Sequence, residues 1–292
     1  MTHSSIRMKS HAKWILSGEH SVVRGGKAIA FPLRNYTNSI TFDKNTDFSI
    51  VTDHESLKKT IFSLLKRASK FLKIPLEKIS GRIGVTSNIP LKAGLGSSAA
   101  ICANIANLFR HCGLCDDAAQ LARHLEDKFH QKSSGLDIAV AIENKPVIFE
   151  KNKIVEFLKP KFWPHFVLSY SGEKSLTSNC AEIVGKVFLK DENFARELDK
   201  QMDLASNLCE DAMKTANFDE LKEGVSLSNE VFQRWGLSTP STSLHIKKLL
   251  SGGAAAAKPI GSGLGGYILS LWRENPTEFF NDFSRPYILI AR

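Results

Sequence analysis

Pro90-Leu91-Lys92-Ala93-Gly94-Leu95-Gly96-Ser97-Ser98-Ala99-Ala100 is the stretch around which the chain is organised. The apolar residues Ile83, Val85 and Ile89 precede it, and an Ala/Ile/Leu-rich helical pattern follows from about Ala99 to Phe109. It therefore reads as strand, glycine loop, helix N-terminus. Gly94 and Gly96 allow backbone conformations that a Cβ would block, and Ser97 or Ser98 can cap the helix. Unpartnered first-turn N–H groups and the helix dipole favour an anion at that point, and a phosphate chain suits it. No Gly-Lys-Ser/Thr follows the glycines, so this is not the Walker sequence. On its own the same pattern describes an ordinary capped turn.

Upstream, His11 to Ser17 reads as a strand running into Gly18-Glu19-His20-Ser21-Val22-Val23-Arg24-Gly25-Gly26-Lys27. A second apolar run, Ala28 to Phe31, is closed by Pro32. Two β-rich stretches follow, Tyr36 to Phe42 and Phe48 to Val51, then a helix from Asp53 to about Leu72 with one apolar stripe. Downstream, a helix is expected over Asp116 to His130, with Leu121, Leu125 and Phe129 as its buried line and Glu126 beside it. Asp137 comes directly after, in Gly135-Leu136-Asp137-Ile138, and Val147-Ile148-Phe149 looks like a strand. The run Lys159 to Pro164 marks a composition change, and a domain boundary is placed there. Beyond it come a strand from Phe166 to Tyr170 and helices from near Ser178, from Asp191 to Lys214, from Asn217 to before Gly236, and from Thr242 to Leu250. Lys258-Pro259-Ile260-Gly261-Ser262-Gly263-Leu264-Gly265-Gly266 precedes the apolar run Tyr267 to Trp272, and Pro286 to Ala291 is a last strand.

The 292 residues suit one large or two ordinary domains, and 42% hydrophobic with 24% charged residues is normal globular composition. A net charge of +9 favours anionic ligands. No dense basic block with interleaved aromatics supports nucleic-acid binding, and no apolar run is long enough to span a bilayer. Five scattered cysteines argue against a disulfide framework, and Met1 to Lys9 lacks the apolar core of a signal peptide, so a cytoplasmic location is expected. Cys112-Gly113-Leu114-Cys115 reads as an inter-helix turn.

Two carboxylates, a phosphate loop and an N-terminal lysine make a workable kit for phosphoryl transfer. In order along the chain, Lys13 to Val23, Pro90 to Ala100 and Lys258 to Gly266 resemble the three motifs of the superfamily of galactokinase, homoserine kinase, mevalonate kinase and phosphomevalonate kinase, the GHMP kinases. Within it, Gly-Glu-His followed by Ser-Val-Val and Gly-Gly-Lys looks like the mevalonate kinase branch. The resemblance implies an α+β, two-domain fold, with an N-terminal ATP-binding domain over 1–160 resembling domain 2 of ribosomal protein S5 and a ferredoxin-like C-terminal domain over 161–292. It implies ATP and Mg²⁺ as cofactors and mevalonate as substrate, phosphorylated on its C5 hydroxyl. It implies no nucleic-acid or membrane partner, and a homodimer is left open.

Carried over by position, Ser98 and Glu126 would hold Mg²⁺, and Asp137 would abstract or orient the proton of the substrate hydroxyl. Lys13 would sit beside Asp137 and stabilise charge on the transferred phosphoryl. Glu19, His20 and Thr177 would line the substrate end, while Lys92, Gly94, Leu95, Gly96, Ser97 and Ser98 would wrap the nucleotide phosphates. The chain departs from the family pattern at Ser133, where a proline is usual, at Ile138, where an asparagine is usual, and at Pro259 and Leu264. Leu264 is expected to narrow the third loop. Each residue also has a plainer reading: Lys13 an exposed lysine, Glu126 a solvated helix charge, Asp137 and His20 turn residues, Thr177 a cap. The rivals are another kinase of this superfamily, acting on phosphomevalonate, a sugar or homoserine, and a metabolite-binding protein without turnover.

Overall fold

The computed structural model describes residues 5–90, 93–129, 133–174 and 177–290. Its contacts gather into two compact units whose segments interleave. The first comprises Met1–Lys13, Pro32–Pro90 and Gly96–Asn144, and the second Trp14–Phe31, Leu91–Leu95 and Lys145–Arg292. A division near residue 160 follows chain order, whereas these units follow contacts. Strand β1 (Ile6–Ser17) and its partner β2 (Ala28–Asp43) are long enough to contribute to both.

β2 runs through Pro32, where the sequence suggested an end. Proline cannot donate to a ladder, so it survives in a strand only where no N–H is needed. Pro32 lies between Ala28–Ala30 and Asn38–Asp43, which pair with different strands.

The first unit continues with β3 (Ser49–Val51), α1 (Glu55–Leu72), β4 (Arg82–Ser87), α2 (Ser97–His111), α3 (Ala118–Glu126) and α4 (Leu136–Glu143). β4 is antiparallel to β2, with Asn38 opposite Ser87 and Asp43 opposite Arg82, and parallel to β3. On α1, Ile61, Leu64, Leu65 and Ala68 repeat at helical spacing and are buried. They pack with Ile40, Ile83 and Val85 of the strands and with the alanine-rich face of α2. α3 ends at Glu126, four residues earlier than expected; Phe129 is exposed and does not extend the buried line of Leu121 and Leu125. α4 was missed because Ile138, Val140 and Ile142 lower helix propensity. Burial of Leu136, Ile138, Val140 and Ala141 overrides it, and Ile138 joins the core in place of the expected asparagine.

The second unit holds β5 (Val147–Glu150), β6 (Lys153–Phe157), β7 (His165–Tyr170), α5 (Thr177–Lys190), α6 (Glu192–Thr215), α7 (Phe218–Arg234), α8 (Pro240–Ser251), β8 (Ala256–Pro259), β9 (Tyr267–Trp272), α9 (Thr277–Asn281) and β10 (Tyr287–Ile290). β5 is antiparallel to Ala28–Ala30 of β2 and to β6. A four-stranded antiparallel sheet follows the order β10-β7-β9-β8. The helix starts carry legible caps. Asp191 accepts from the Phe194 N–H, Asn217 from the Glu220 N–H, and Thr239 forms a capping box with Thr242 around Pro240. Strand β6 was unexpected because most of it is exposed and shows no alternation, and β8 because all four of its residues are buried.

Trp14 is fully buried and stacks on Phe31, with centroids 4.6 Å apart at 12°; Trp163 and Phe166 close the cluster. Trp14→Ala is expected to lower the unfolding free energy by about 3–5 kcal/mol. Urea denaturation followed by circular dichroism measures this loss.

Candidate active site

In the first unit the chemistry gathers at the starts of two helices. Gly96, at φ 75°, is the N-cap of α2, and no side chain caps that end. Ser97 and Ser98, expected as caps, instead occupy the first helical turn. The Ser97 Oγ is buried without a hydrogen-bond partner. Glycine is required at 96 for contact as well as conformation. A Cβ there would lie 2.9 Å from Lys13 Cγ and 3.7 Å from Asp137 Oδ2.

Lys13 is not the exposed lysine that its alternating strand allowed. It is buried on β1, and its Nζ lies 3.1 Å from Asp137 Oδ1. Asp137 stands in the first turn of α4, whose N-cap Gly135 at φ 82° also lacks a side-chain cap. The positive end of that helix faces the carboxylate's own turn.

Glu126 closes α3 and is 1% exposed. Its Oε2 accepts a 2.7 Å hydrogen bond from the Ser133 hydroxyl, which in turn accepts from the Gly135 N–H at 3.1 Å. Burial, and then the charge of Asp137, push the Glu126 carboxyl up to about 8, against the pull of Ser133 and Lys13. Ser133, noted in the sequence only as a departure from proline, thus orients a buried acid.

The second unit holds the other motif residues. Glu19 is 2% exposed, and its Oε1 lies 2.5 Å from Nζ of the fully buried Lys258. His20 sits at φ 64°, with Nε2 2.8 Å from the Ser262 carbonyl. A carbonyl only accepts, so Nε2 carries the proton and the neutral ring leaves Nδ1 as an acceptor. The edges of Phe232 and Trp235 enclose the ring at 5.8 and 5.3 Å. Gly94, also at positive φ, has no atom within 4 Å of where a Cβ would stand, whereas a Cβ on Gly261 would approach the Gly94 carbonyl to 3.6 Å. Leu95 is buried. Lys92 lies outside the described residues, as does the side chain of Thr177, whose backbone opens α5. Leu264 adopts φ 54°, a strain of about 1–2 kcal/mol for a non-glycine residue. Its side chain packs against the cluster of Phe232, Trp235 and Leu237, and its N–H donates to the Leu237 carbonyl.

Lys258 is the functional candidate that motif reading passed over. The sequence offered only a lysine set in an apolar run, with nothing to name its partner.

Two histidines, half-buried His20 and buried His245, contribute to the loss of stability in acid. Burial lowers His20 to about 4, and burial with the charges of Arg285 and Lys248 lowers His245 to about 4. Between that value and the ordinary 6.5 the unfolded chain binds protons that the folded chain refuses. Their contribution to stability is complete above about pH 6.5 and is lost as pH falls toward 4. His245→Gln is expected to flatten the fall in thermal midpoint across that window, read by calorimetry.

The donor set suits a nucleotide with a divalent cation. Within the first unit, the uncapped start of α2, the unpartnered Ser97 hydroxyl and the desolvated Glu126 carboxyl offer N–H and oxygen groups to an ionic ligand. Among the described residues no three His, Cys, Asp or Glu side chains cluster. That pattern fits Mg²⁺, which takes one or two carboxylates and completes its shell with phosphate and water.

Residues 57–145 match the family model of the GHMP kinases N terminal domain. The mevalonate kinase of Thermococcus sibiricus is 28% identical, covering 91% of this chain and 89% of its own. That of Archaeoglobus fulgidus is 29% identical over 92% of this chain and 93% of its own. The crystal structure of the Methanococcus jannaschii mevalonate kinase superposes with a TM-score of 0.78 at 22% identity, over 100% of both chains. The α+β fold is that of the two-domain GHMP kinases. Three motifs in family order, a matching N-terminal domain and relatives matched along nearly their whole length agree: residues 57–145 match the GHMP kinases' N-terminal domain, and the chain as a whole is similar to the mevalonate kinases among them.

Proposed function

We infer that this chain is an ATP-dependent kinase that phosphorylates the C5 hydroxyl of mevalonate. Likeness to the family supports the use of ATP. The observation that carries the substrate is the likeness to mevalonate kinases along about nine-tenths of each chain. In chain order, residues 1–160 would serve the nucleotide and 161–292 complete the kinase.

The chemistry is assigned from the pair of buried Lys13 and half-buried Asp137. Asp137 accepts or orients the proton of the attacking hydroxyl. Lys13 keeps positive charge where negative charge grows on the transferred phosphoryl. The first turn of α2, through Gly96, Ser97 and Ser98, offers N–H and hydroxyl groups to the phosphates. Ser98 and Glu126 would hold Mg²⁺, which when bound neutralises phosphate charge. His20 presents a neutral Nδ1 acceptor that can take a hydrogen bond from a substrate hydroxyl.

The test is ADP release by the purified protein with ATP and Mg²⁺, with mevalonate, phosphomevalonate, galactose and homoserine as parallel acceptors. Turnover with mevalonate is expected. Turnover confined to another acceptor, or none alongside clear ATP binding, overturns the assignment.

A further inference from the structure

We propose that Lys258 is a positioning residue, which acts through Glu19 to hold His20 and the Ser262 loop in one register. The proposal rests on the reading above that His20 serves the acceptor.

Two adjacent residues of the first motif are tethered to one turn of the third. Glu19 binds Lys258 at 2.5 Å, and His20 binds the carbonyl of Ser262, four residues further on. Both partners of the ion pair are removed from water, at 0% and 2% side-chain exposure. Nζ of Lys258 also lies 5.5 Å from the Phe232 ring centroid, and Phe232 edges against His20. The same aromatic side chain therefore neighbours both the clamp and the ring it positions.

Stability alone is a poor reason for such a pair, since apolar residues of similar volume fill such a space at no loss. The backbone gives a better one. His20 at φ 64° is in a conformation that costs a non-glycine residue and persists only where the surroundings over-determine it. The Ser262 bond fixes the ring nitrogen, and the ion pair fixes the residue before it. Glu19 Oε2 remains buried and without a hydrogen-bond partner, so the Lys258 contact at Oε1 is what aims this carboxylate.

The experiment uses the full chain with Lys258→Met, Glu19→Gln and the double variant. It reads the KM for mevalonate and for ATP, the thermal midpoint, and the His20 imidazole N–H signal in ¹⁵N-histidine-labelled protein. Lys258→Met strands a buried carboxylate, so its midpoint should fall, while the double variant should return close to the parent. In both, the mevalonate KM is expected to rise by about tenfold or more with the ATP KM within about twofold, and the His20 N–H signal to be lost to exchange. A double variant with parental stability and parental mevalonate KM overturns the proposal. So does a parallel rise of both KM values, or an unchanged His20 signal. Should Lys258→Met fail to fold, the double variant decides. Should the parent fail to phosphorylate mevalonate, the substrate reading falls, and the His20 signal still decides the clamp.

Discussion

Asp137→Asn is expected to lower kcat roughly 10³-fold, with ATP affinity little changed. The amide keeps the shape and the place at the head of α4 but cannot accept a proton. It also removes the charge that Lys13 Nζ meets at 3.1 Å. Lys13→Met should cost roughly 10²-fold, and the double variant no more than Asp137→Asn alone, because the two act as one unit. Single-turnover kinetics with saturating ATP, together with nucleotide binding measured separately, would check this. A full additive loss in the double variant would separate the two residues and count against their shared role.

The second large effect is expected at Glu126. Glu126→Gln should cost roughly 10²-fold or more in turnover at fixed Mg²⁺ and shift half-saturation to higher Mg²⁺. A companion readout needs no turnover. In the metal-free parent the Glu126 carboxyl titrates at about 8 in the fold, against an ordinary 4.5. The folded state therefore holds the extra proton between those values, and this residue's contribution to stability falls as pH rises through that window. Glutamine has no proton to lose. The variant's stability relative to the parent should thus grow from pH 4.5 to 8 when measured by denaturation in chelator. A flat difference would show that Glu126 is ionised throughout.

Ser133 bears on the same measurement. Its hydroxyl donates to Glu126, where a proline would offer nothing. A departure from the family pattern is here a hydrogen bond to a buried acid, and Ile138, a second departure, is core packing.

Much of this was legible without coordinates. The glycine-bearing turn before α2, followed by helical periodicity, marked that helix start, because only glycine enters positive φ cheaply and first-turn N–H groups need partners. Helix starts at Asp191 and Asn217 were legible from local spacing, whereas the Thr239 capping box starts α8 at Pro240, two residues before the expected Thr242. Motif order placed Lys13, Ser98, Glu126 and Asp137 among the candidates before any distance was known.

What sequence could not decide was burial and partnership between residues far apart in the chain. Lys13 on an alternating strand and Glu126 on an amphipathic helix both read equally well as solvated charges. Only packing takes them out of water and sets Lys13 against Asp137, 124 residues away by number. Short α4 and β8 escaped for a related reason, since burial rather than propensity stabilises them. Lys258 is the plainest instance. Its spacing in the chain says nothing of Glu19, and it became readable only when the fold closed 239 residues of separation into one ion pair.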